Sequence, residues 1–298
     1  MVKLVEFVPN FSEGRNQDVI NALVSTAKSV PGVMLLNFSS DADHNRSVLT
    51  LIGDPVGISE VAFQLCKTAS EKIDMTKHRG EHPRIGATDV MPFIPIKNVT
   101  MAECIEISKN VATRMWNELS IPSFLYEESA TRPERRNIAK IRKGQFEGMP
   151  EKLLEEDWAP DFGERKIHPT AGVTVIGARQ ILIAYNVNLN TSDVAIAQEI
   201  AETIREINGG IKHCKALGIM LSGRNIAQVS MNLVNYQETP IYIVQEAIRL
   251  EAKKRGVEII GSELIGVSPA KALIDCAEYY LQIENFDFEK QVLENHLF

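Results

Sequence analysis

The sequence predicts a mixed α/β (α+β) protein of two subdomains, each built on a β-α-β-β-α-β unit with helices packed on one face of a sheet. Two observations predict this class. The spacing of apolar residues alternates along the chain between strand-like and helix-like periods, and the same order of segments occurs twice. The two occurrences lie on either side of a polar stretch, residues 129–172, that is rich in Pro and Gly. We therefore expect an N-terminal subdomain with its connector at residues 1–177 and a C-terminal subdomain at residues 178–298.

The first half begins with a strand at residues 3–10 and a helix at residues 16–30, whose apolar side chains recur at helical spacing and which ends before Pro31 and Gly32. The elements predicted after it are strands at 33–41 and 45–53, a helix at 58–73, a strand at 89–96, a helix at 101–120 and a strand at 122–128.

The connector has little clear period, and only one helix, at residues 149–157, is predicted within it. The order of elements then repeats. The second half is predicted to contain a strand at 180–189, a helix at 192–207, strands at 215–222 and 226–235, a helix at 240–256 and a strand at 257–266. A cleft along the open sheet faces is the expected place for a ligand.

Composition excludes several classes of protein. With 44% hydrophobic and 24% charged residues, the 298-residue chain is typical of a soluble globular protein. A net charge of -7 argues against nucleic acid as the main partner. The four cysteines lie far apart in apolar patterns, which favours buried thiols over disulfides or a zinc cluster. The N-terminus lacks a signal-like apolar run, so we expect a cytoplasmic location and no membrane partner.

The segment His78-Arg79-Gly80-Glu81-His82 has the H-x-x-E-H order of one class of zinc peptidase. In that class both histidines must face one metal from a helix. Gly80 interrupts such a turn and Pro83 follows His82 directly, so a helix is disfavoured and no metal is expected. A loop bounded by glycine and proline suits a single imidazole at the mouth of a cleft. His82 is therefore a candidate general acid or base.

Several longer segments resemble the formiminotransferase family. They are "VPNFSEG", "NRSVLTLIG", "DMTKHRGEHPRIGATDVMPFIP", "WAPDFG", "GARQILIAYNVNL" and "GVSPAKALIDCAEYYL", which together span essentially the whole chain. The resemblance implies transfer of a formimino group from N-formimino-L-glutamate to tetrahydrofolate, a step of histidine degradation. It also implies a homodimer of α/β subdomains with a folate-binding tunnel. Because the chain stops at Phe298, it resembles the stand-alone bacterial form rather than the animal proteins fused to a cyclodeaminase domain.

The resemblance also carries residue roles. The histidine of the family's G-E-H-P-R motif is catalytic, and it falls on His82. The family's folate-binding segment falls on ten consecutive residues: Gly163, Glu164, Arg165, Lys166, Ile167, His168, Pro169, Thr170, Ala171 and Gly172.

The chemistry can be checked against the residues themselves. The attacking amine of the reduced pterin must lose a proton, and the leaving glutamate amine must gain one. One histidine with a pKa near the reference value of about 6.5 can do both in turn. The amidine and the intermediate are cationic, so a nearby carboxylate should stabilise them. Of the available carboxylates, which include Glu81 and Asp89, we favour Asp41 in the predicted hairpin turn, although an ordinary Asx-type turn also explains it.

Both substrates carry carboxylates, which arginine binds bidentately. Arg46 and Arg84 lie in the family motifs and are candidate carboxylate ligands, while Lys143, Arg165 and Lys166 could line the path of the folate tail. Each of them could also be an ordinary surface charge.

Two amides are further candidates for the pterin site. Asn10 either contributes a polar wall of that site or shapes the strand-to-helix turn. Asn188 lies on one strand face with Asn186 and Asn190, where amides could bind the edge of a pterin or make cross-strand hydrogen bonds.

Two other functions fit the same residues. An N-formylglutamate donor would use the same folate and the same histidine, but its neutral formyl group would not need an anionic partner. A non-catalytic folate-binding protein would keep the fold without requiring His82.

Overall fold

The computed structural model describes residues 2–296 and contains two β-sheets, one in each of two compact units, residues 1–179 and residues 180–298. Each sheet is packed against helices, which confirms the predicted mixed α/β class. In residues 2–296, no helix combines the length and the apolar content needed to cross a membrane.

The first unit is built on a seven-stranded sheet. Its strands are β1 Leu4–Phe7, β2 Asn10–Phe11, β3 Val33–Asp41, β4 Arg46–Gly53, β5 Thr88–Lys97, β6 Ser123–Leu125 and β7 Thr174–Ala178. Its helices are α1 Gln17–Ser29, α2 Pro55–Lys72, α3 Met101–Leu119, α4 Ile138–Arg142 and α5 Gln145–Lys152.

This sheet is mixed. Its spatial order is β3, β4, then β1 and β2 side by side along one line, then β5, β7 and β6. The pairs from β3 to β5 are antiparallel, whereas β7 runs parallel to both β5 and β6. β1 and β2 are separated at Val8 and Pro9, where proline has no N–H to donate to a neighbouring strand.

Helices α1, α2 and α3 share one continuous core with the sheet. Each begins at a side-chain cap: Asn16 and Asp54 accept backbone N–H groups at the starts of α1 and α2, and Thr100 and Glu103 form a capping box on α3. The buried positions of α1 recur at helical spacing, as the sequence predicts.

The connector adds a second layer to the first unit. Ile141 of α4 and Met149 of α5 pack with Val90 and Val175, whereas Met91, the next residue along β5, belongs to the core under α1, α2 and α3. Because side chains alternate between the two faces of a strand, α4 and α5 cover the opposite face of this half of the sheet. The prediction of helices on one face therefore describes α1–α3 but not the connector.

The second unit is built on a four-stranded antiparallel sheet. Its elements are β8 Ile183–Leu189, α6 Val194–Ile204, β9 Cys214–Leu221, β10 Ile226–Leu233, α7 Ile241–Lys254, β11 Ile259–Ile265, α8 Ala270–Leu281 and α9 Phe288–Gln291. The spatial order β11-β8-β10-β9 matches the order β5-β1-β4-β3 in the first unit. The β-α-β-β-α-β unit thus occurs twice, as predicted.

Candidate active site

The segment that contains His82 is a loop tied to the hairpin of β3 and β4. Residues 75–87 contain no helix, so the two histidines of the H-x-x-E-H order are not one helical turn apart. Asn45, buried in the hairpin with a φ of 49°, donates from Nδ2 to the Arg79 carbonyl at 2.9 Å and accepts the Gly14 N–H at 2.9 Å. Its own carbonyl accepts from His78 Nε2 at 2.9 Å. One asparagine therefore fixes the hairpin and the loop together.

His82 lies between a carboxylate and a guanidinium. Its Nδ1 is 3.3 Å from Nη1 of Arg46, and its Nε2 is 3.8 Å from Oδ2 of Asp89. Arginine can only donate, so Nδ1 is the acceptor and the neutral ring carries its proton on Nε2, which faces Asp89. The side chain of His82 is 14% exposed and that of Asp89 is 2% exposed. The imidazole is thus reachable from solvent, with the carboxylate buried behind it.

Arg142 of α4 completes this group. Its Nη2 donates to Oδ2 of Asp89, whose Oδ1 accepts the backbone N–H of Ile85 at 3.0 Å. Burial alone would raise the pKa of Asp89, but the Arg142 guanidinium and the His82 imidazole more than offset it and hold that pKa below its ordinary value. Asp89 is therefore a buried anion held by a cation from the connector.

The pKa of His82 is also below its ordinary value. Burial is the main cause, the guanidinium groups of Arg142 and Arg46 add to it, and Asp89 opposes it. At neutral pH the imidazole is consequently uncharged and able to accept a proton.

Asp41 contacts a different histidine. Its Oδ1 accepts the backbone N–H groups of Asp43 and His44, which is an Asx-type turn, and its Oδ2 lies 3.1 Å from Nδ1 of His44. These contacts, the backbone N–H of His44 first among them, lower the pKa of Asp41. The carboxylate beside His82 is Asp89, and Asp41 supports His44 instead.

Arg84, a candidate carboxylate ligand, is buried and fully paired within the protein. Its Nε donates to His78 Nδ1 at 3.0 Å, and its terminal nitrogens donate to Gln145, to both carboxylate oxygens of Glu147 and to the His78 carbonyl. All five N–H groups of the guanidinium are thereby used. In this arrangement Arg84 holds the loop against α5 and has no donor left for a substrate.

The same contacts occupy both ring nitrogens of His78, since Nε2 donates to the Asn45 carbonyl and Nδ1 accepts from Arg84. Burial lowers the pKa of His78 as well. Among residues 2–296, no three His, Cys, Asp or Glu side chains are grouped so as to hold a metal ion.

The ten-residue segment predicted to bind folate lies beside the His82 loop. The backbones of His168 and Gly172 are joined by two hydrogen bonds of 3.0 Å, and Thr170 and Ala171 accept from Met75 and Ala87 of the loop at 2.8 and 2.9 Å. Gly172, with a φ of +72°, lies against the Ile85 carbonyl with no room for a Cβ atom. Gly163 to Lys166, at the start of the segment, are exposed.

The two amide candidates lie in different units. Asn10 is half-buried on β2, opposite Val48 and Val90, and donates to the Val8 carbonyl at 3.2 Å. Asn188 is buried on β8 of the second unit, where it accepts from Gln228 at 2.7 Å and donates to Glu263 at 3.1 Å. The cross-strand alternative therefore describes the contacts of Asn188 in the second unit.

Arg142 is the residue of this site that sequence reasoning missed. It lies in the connector, where no period marks an element, and its only signal is a short basic run with Lys140 and Lys143. Asp89 was available as a candidate, but its sequence position did not distinguish it from Asp41.

Comparisons with known proteins cover both units. The model of the formiminotransferase domain, N-terminal subdomain, matches residues 4–179, and that of the formiminotransferase domain matches residues 184–295. The chain is 67% identical to a glutamate formimidoyltransferase of Streptococcus pyogenes serotype M1, over 100% of this chain and 99% of that protein. A glutamate formimidoyltransferase of Thermoplasma acidophilum is 46% identical, with 99% and 98% covered. The formimidoyltransferase-cyclodeaminase of Rattus norvegicus is 43% identical over 95% of this chain and 53% of that protein.

Proposed function

The chain belongs to the formiminotransferase family, and we propose that it transfers the formimino group of N-formimino-L-glutamate to tetrahydrofolate, as a step of histidine degradation. The products are 5-formimidoyltetrahydrofolate and L-glutamate. The observation that carries the assignment is the full-length match to a glutamate formimidoyltransferase. Tetrahydrofolate is then a co-substrate, and the transfer makes the chain a one-carbon-group transferase.

We assign the first proton transfer to Nδ1 of His82. This nitrogen holds the free electron pair, because Nε2 carries the proton that faces Asp89. When N5 of the folate attacks the amidine carbon, Nδ1 accepts its proton. The imidazolium that forms has Nε2–H directed at the buried Asp89 carboxylate, which stabilises the new charge. Asp89 replaces Asp41 in this role.

Arg46 gives this step a link to substrate binding. Its Nη1 lies 3.3 Å from Nδ1 of His82, the nitrogen that must accept the proton. Its Nε is buried and has no hydrogen-bond partner. A carboxylate of formiminoglutamate can bind in a fork to the edge formed by Nε and the adjacent Nη2. Binding of the donor substrate would then draw the guanidinium from Nδ1 and free the base as the reacting carbon arrives.

The folate is proposed to lie along residues 163–172. Thr170 and Ala171 border the His82 loop, while the exposed Arg165 and Lys166 could meet the glutamate tail. Asn10 and Asn188 stay candidates for the pterin edge, the former on β2 of the first unit and the latter on β8 of the second.

We also propose a cytoplasmic homodimer, on the strength of the family resemblance. Light scattering on the purified protein tests the dimer directly, since a monomer mass across the micromolar range would exclude it.

The test of the reaction is an assay of chelator-treated protein with tetrahydrofolate and either formiminoglutamate or formylglutamate, following glutamate release. Release from formiminoglutamate is the expected result. Release from formylglutamate alone would change the donor while keeping the folate chemistry, and release from neither would leave a folate-binding protein.

A further inference from the structure

We infer that His44 is a second proton-transfer residue, which supplies the proton to the leaving glutamate amine while His82 takes the proton of the attacking amine. The inference rests on the proposed formimino transfer at His82. It divides between two histidines the two proton transfers that a single histidine would otherwise perform in turn.

The two imidazoles lie close together in an edge arrangement, His44 in the turn of the β3–β4 hairpin and His82 in the loop beside it. Their ring centroids are 6.4 Å apart and their planes meet at 62°. His44 is 45% exposed, against 14% for His82, so the side chain of His44 lies on the solvent side of the pair. Rings at this separation can each make a hydrogen bond of about 3 Å to a different nitrogen on one carbon atom.

Each histidine has its own carboxylate. Asp41 Oδ2 is 3.1 Å from His44 Nδ1, and Asp41 Oδ1 accepts the His44 backbone N–H at 2.8 Å. The first contact places Nδ1 beside the carboxylate and leaves Nε2 as the nitrogen available to a substrate. Asp41–His44 and Asp89–His82 are thus both pairs of an aspartate and a histidine. The side chains of the first pair are exposed, and those of the second are largely buried.

The charges around the two rings differ in sign. His82 has two guanidinium groups beside it, Arg46 on Nδ1 and Arg142 on Asp89, which favour its neutral form. At His44 the neighbouring charge has the opposite sign, because the Asp41 carboxylate lies 3.1 Å from Nδ1. A general base acts from a neutral ring, the form that burial and the guanidinium groups favour at His82.

The transfer balances with these two groups. The C–N5 bond forms at the amidinium carbon, and the N5 proton passes to His82 Nδ1, which gives a neutral tetrahedral intermediate. The bond from that carbon to the glutamate nitrogen then breaks, its electron pair going to that nitrogen, which takes a proton from His44 Nε2. The products are the amidinium of 5-formimidoyltetrahydrofolate and the free amine of glutamate. Solvent exchange restores the proton to His44 and removes it from His82.

The test compares His44→Gln and His44→Ala with His82→Ala. The matched control is His213→Gln in the second unit, because His213 also lies 3.1 Å from a carboxylate, that of Glu238, but at a site with no proposed role. We expect His44→Gln to lower kcat at least about 100-fold with little change in the KM for formiminoglutamate, and His213→Gln to have no effect. Free imidazole should restore part of the turnover of His44→Ala, since the side chain is accessible.

Each other outcome counts against the inference. Wild-type turnover in His44→Gln alongside an inactive His82→Ala would overturn the role of His44 and leave the proposed function standing. Loss of turnover in His44→Ala without recovery in imidazole would make His44 a structural residue. If His82→Ala itself kept full turnover, the proposed role of His82 would be wrong, and the inference about His44 would lose its basis.

Discussion

At His82, burial and opposing charges set the pKa on which the proposed chemistry depends. Burial and the two guanidinium groups of Arg46 and Arg142 lower that pKa, and the carboxylate of Asp89 raises it. A base must be unprotonated to act, so turnover is lost as the pH falls through the lowered pKa of His82. The pH at which turnover is lost on the acidic side therefore depends on the residues around His82.

Substitution of these neighbours should move the acidic limb in opposite directions. Asp89→Asn removes the group that raises the pKa of His82, so the limb should shift to lower pH, with a fall in kcat because the imidazolium loses its counter-charge. Arg142→Gln removes a group that lowers that pKa, so the limb should shift to higher pH. The measurement is kcat/KM against pH for both variants and the wild type. Shifts in the same direction, or none, would contradict the charge arrangement.

The sequence indicates which residues belong to the site better than how they pair. Gly80 and Pro83 exclude a helix, and the loop around His82 follows from them. The choice between Asp41 and Asp89 depends on which strand end faces the His82 ring. Because the connector folds back over the sheet, Arg142 contacts Asp89, whereas Arg84 is paired with Glu147. Neither pairing is encoded in local spacing.

At the scale of elements, the His82 loop depends on its close approach to the hairpin. Gly80 lies against the His44 carbonyl and the Asn45 side chain, with no room for a Cβ atom. The two histidines of the proposed reaction are thus held at their separation by a backbone contact that only glycine permits.

Gly80→Ala should push the loop away from the hairpin and lower kcat by about 10-fold to 100-fold, because a small displacement of a catalytic group has effects of that size. The matched control is Gly223→Ala, in the corresponding hairpin of the second unit, where an added Cβ meets no atom within 4 Å. Steady-state kinetics and thermal melting of both variants make the comparison. Equal turnover in the two variants would show that the contact does not position His82.

Elements with a clear period were predicted well, and those without one were not. The strands and helices of the two β-α-β-β-α-β units occur where the spacing of apolar residues predicts them. β7 was missed because all five of its residues are buried and no alternation marks it. The connector helix was expected at 149–157 but α5 begins at Gln145, and α4 is too short to show a period.

At the scale of the whole molecule, each unit has its own hydrophobic core. The clusters of buried residues in the first unit, under α1–α3 and under α4–α5, draw only on residues before Gln180, and the cluster of the second unit draws only on residues after it. Apolar burial is the main source of folding free energy, so each unit has the means to fold by itself.

A fragment of residues 1–179 should therefore fold alone. We expect a single cooperative thermal transition in its far-UV circular dichroism, because both clusters of this unit pack against the same sheet. A fragment of residues 180–298 serves as the parallel case. A gradual loss of signal without a transition would show that the first unit needs the second.

The most direct test of the account is to replace His82 with Ala and measure turnover and tetrahydrofolate binding on the same preparation, with His213→Ala as the control histidine. The account predicts that kcat with formiminoglutamate falls by about 100-fold to 10,000-fold, while the Kd for tetrahydrofolate is unchanged. A kcat close to that of the wild type, or a loss of binding in parallel with turnover, would contradict the role given to His82.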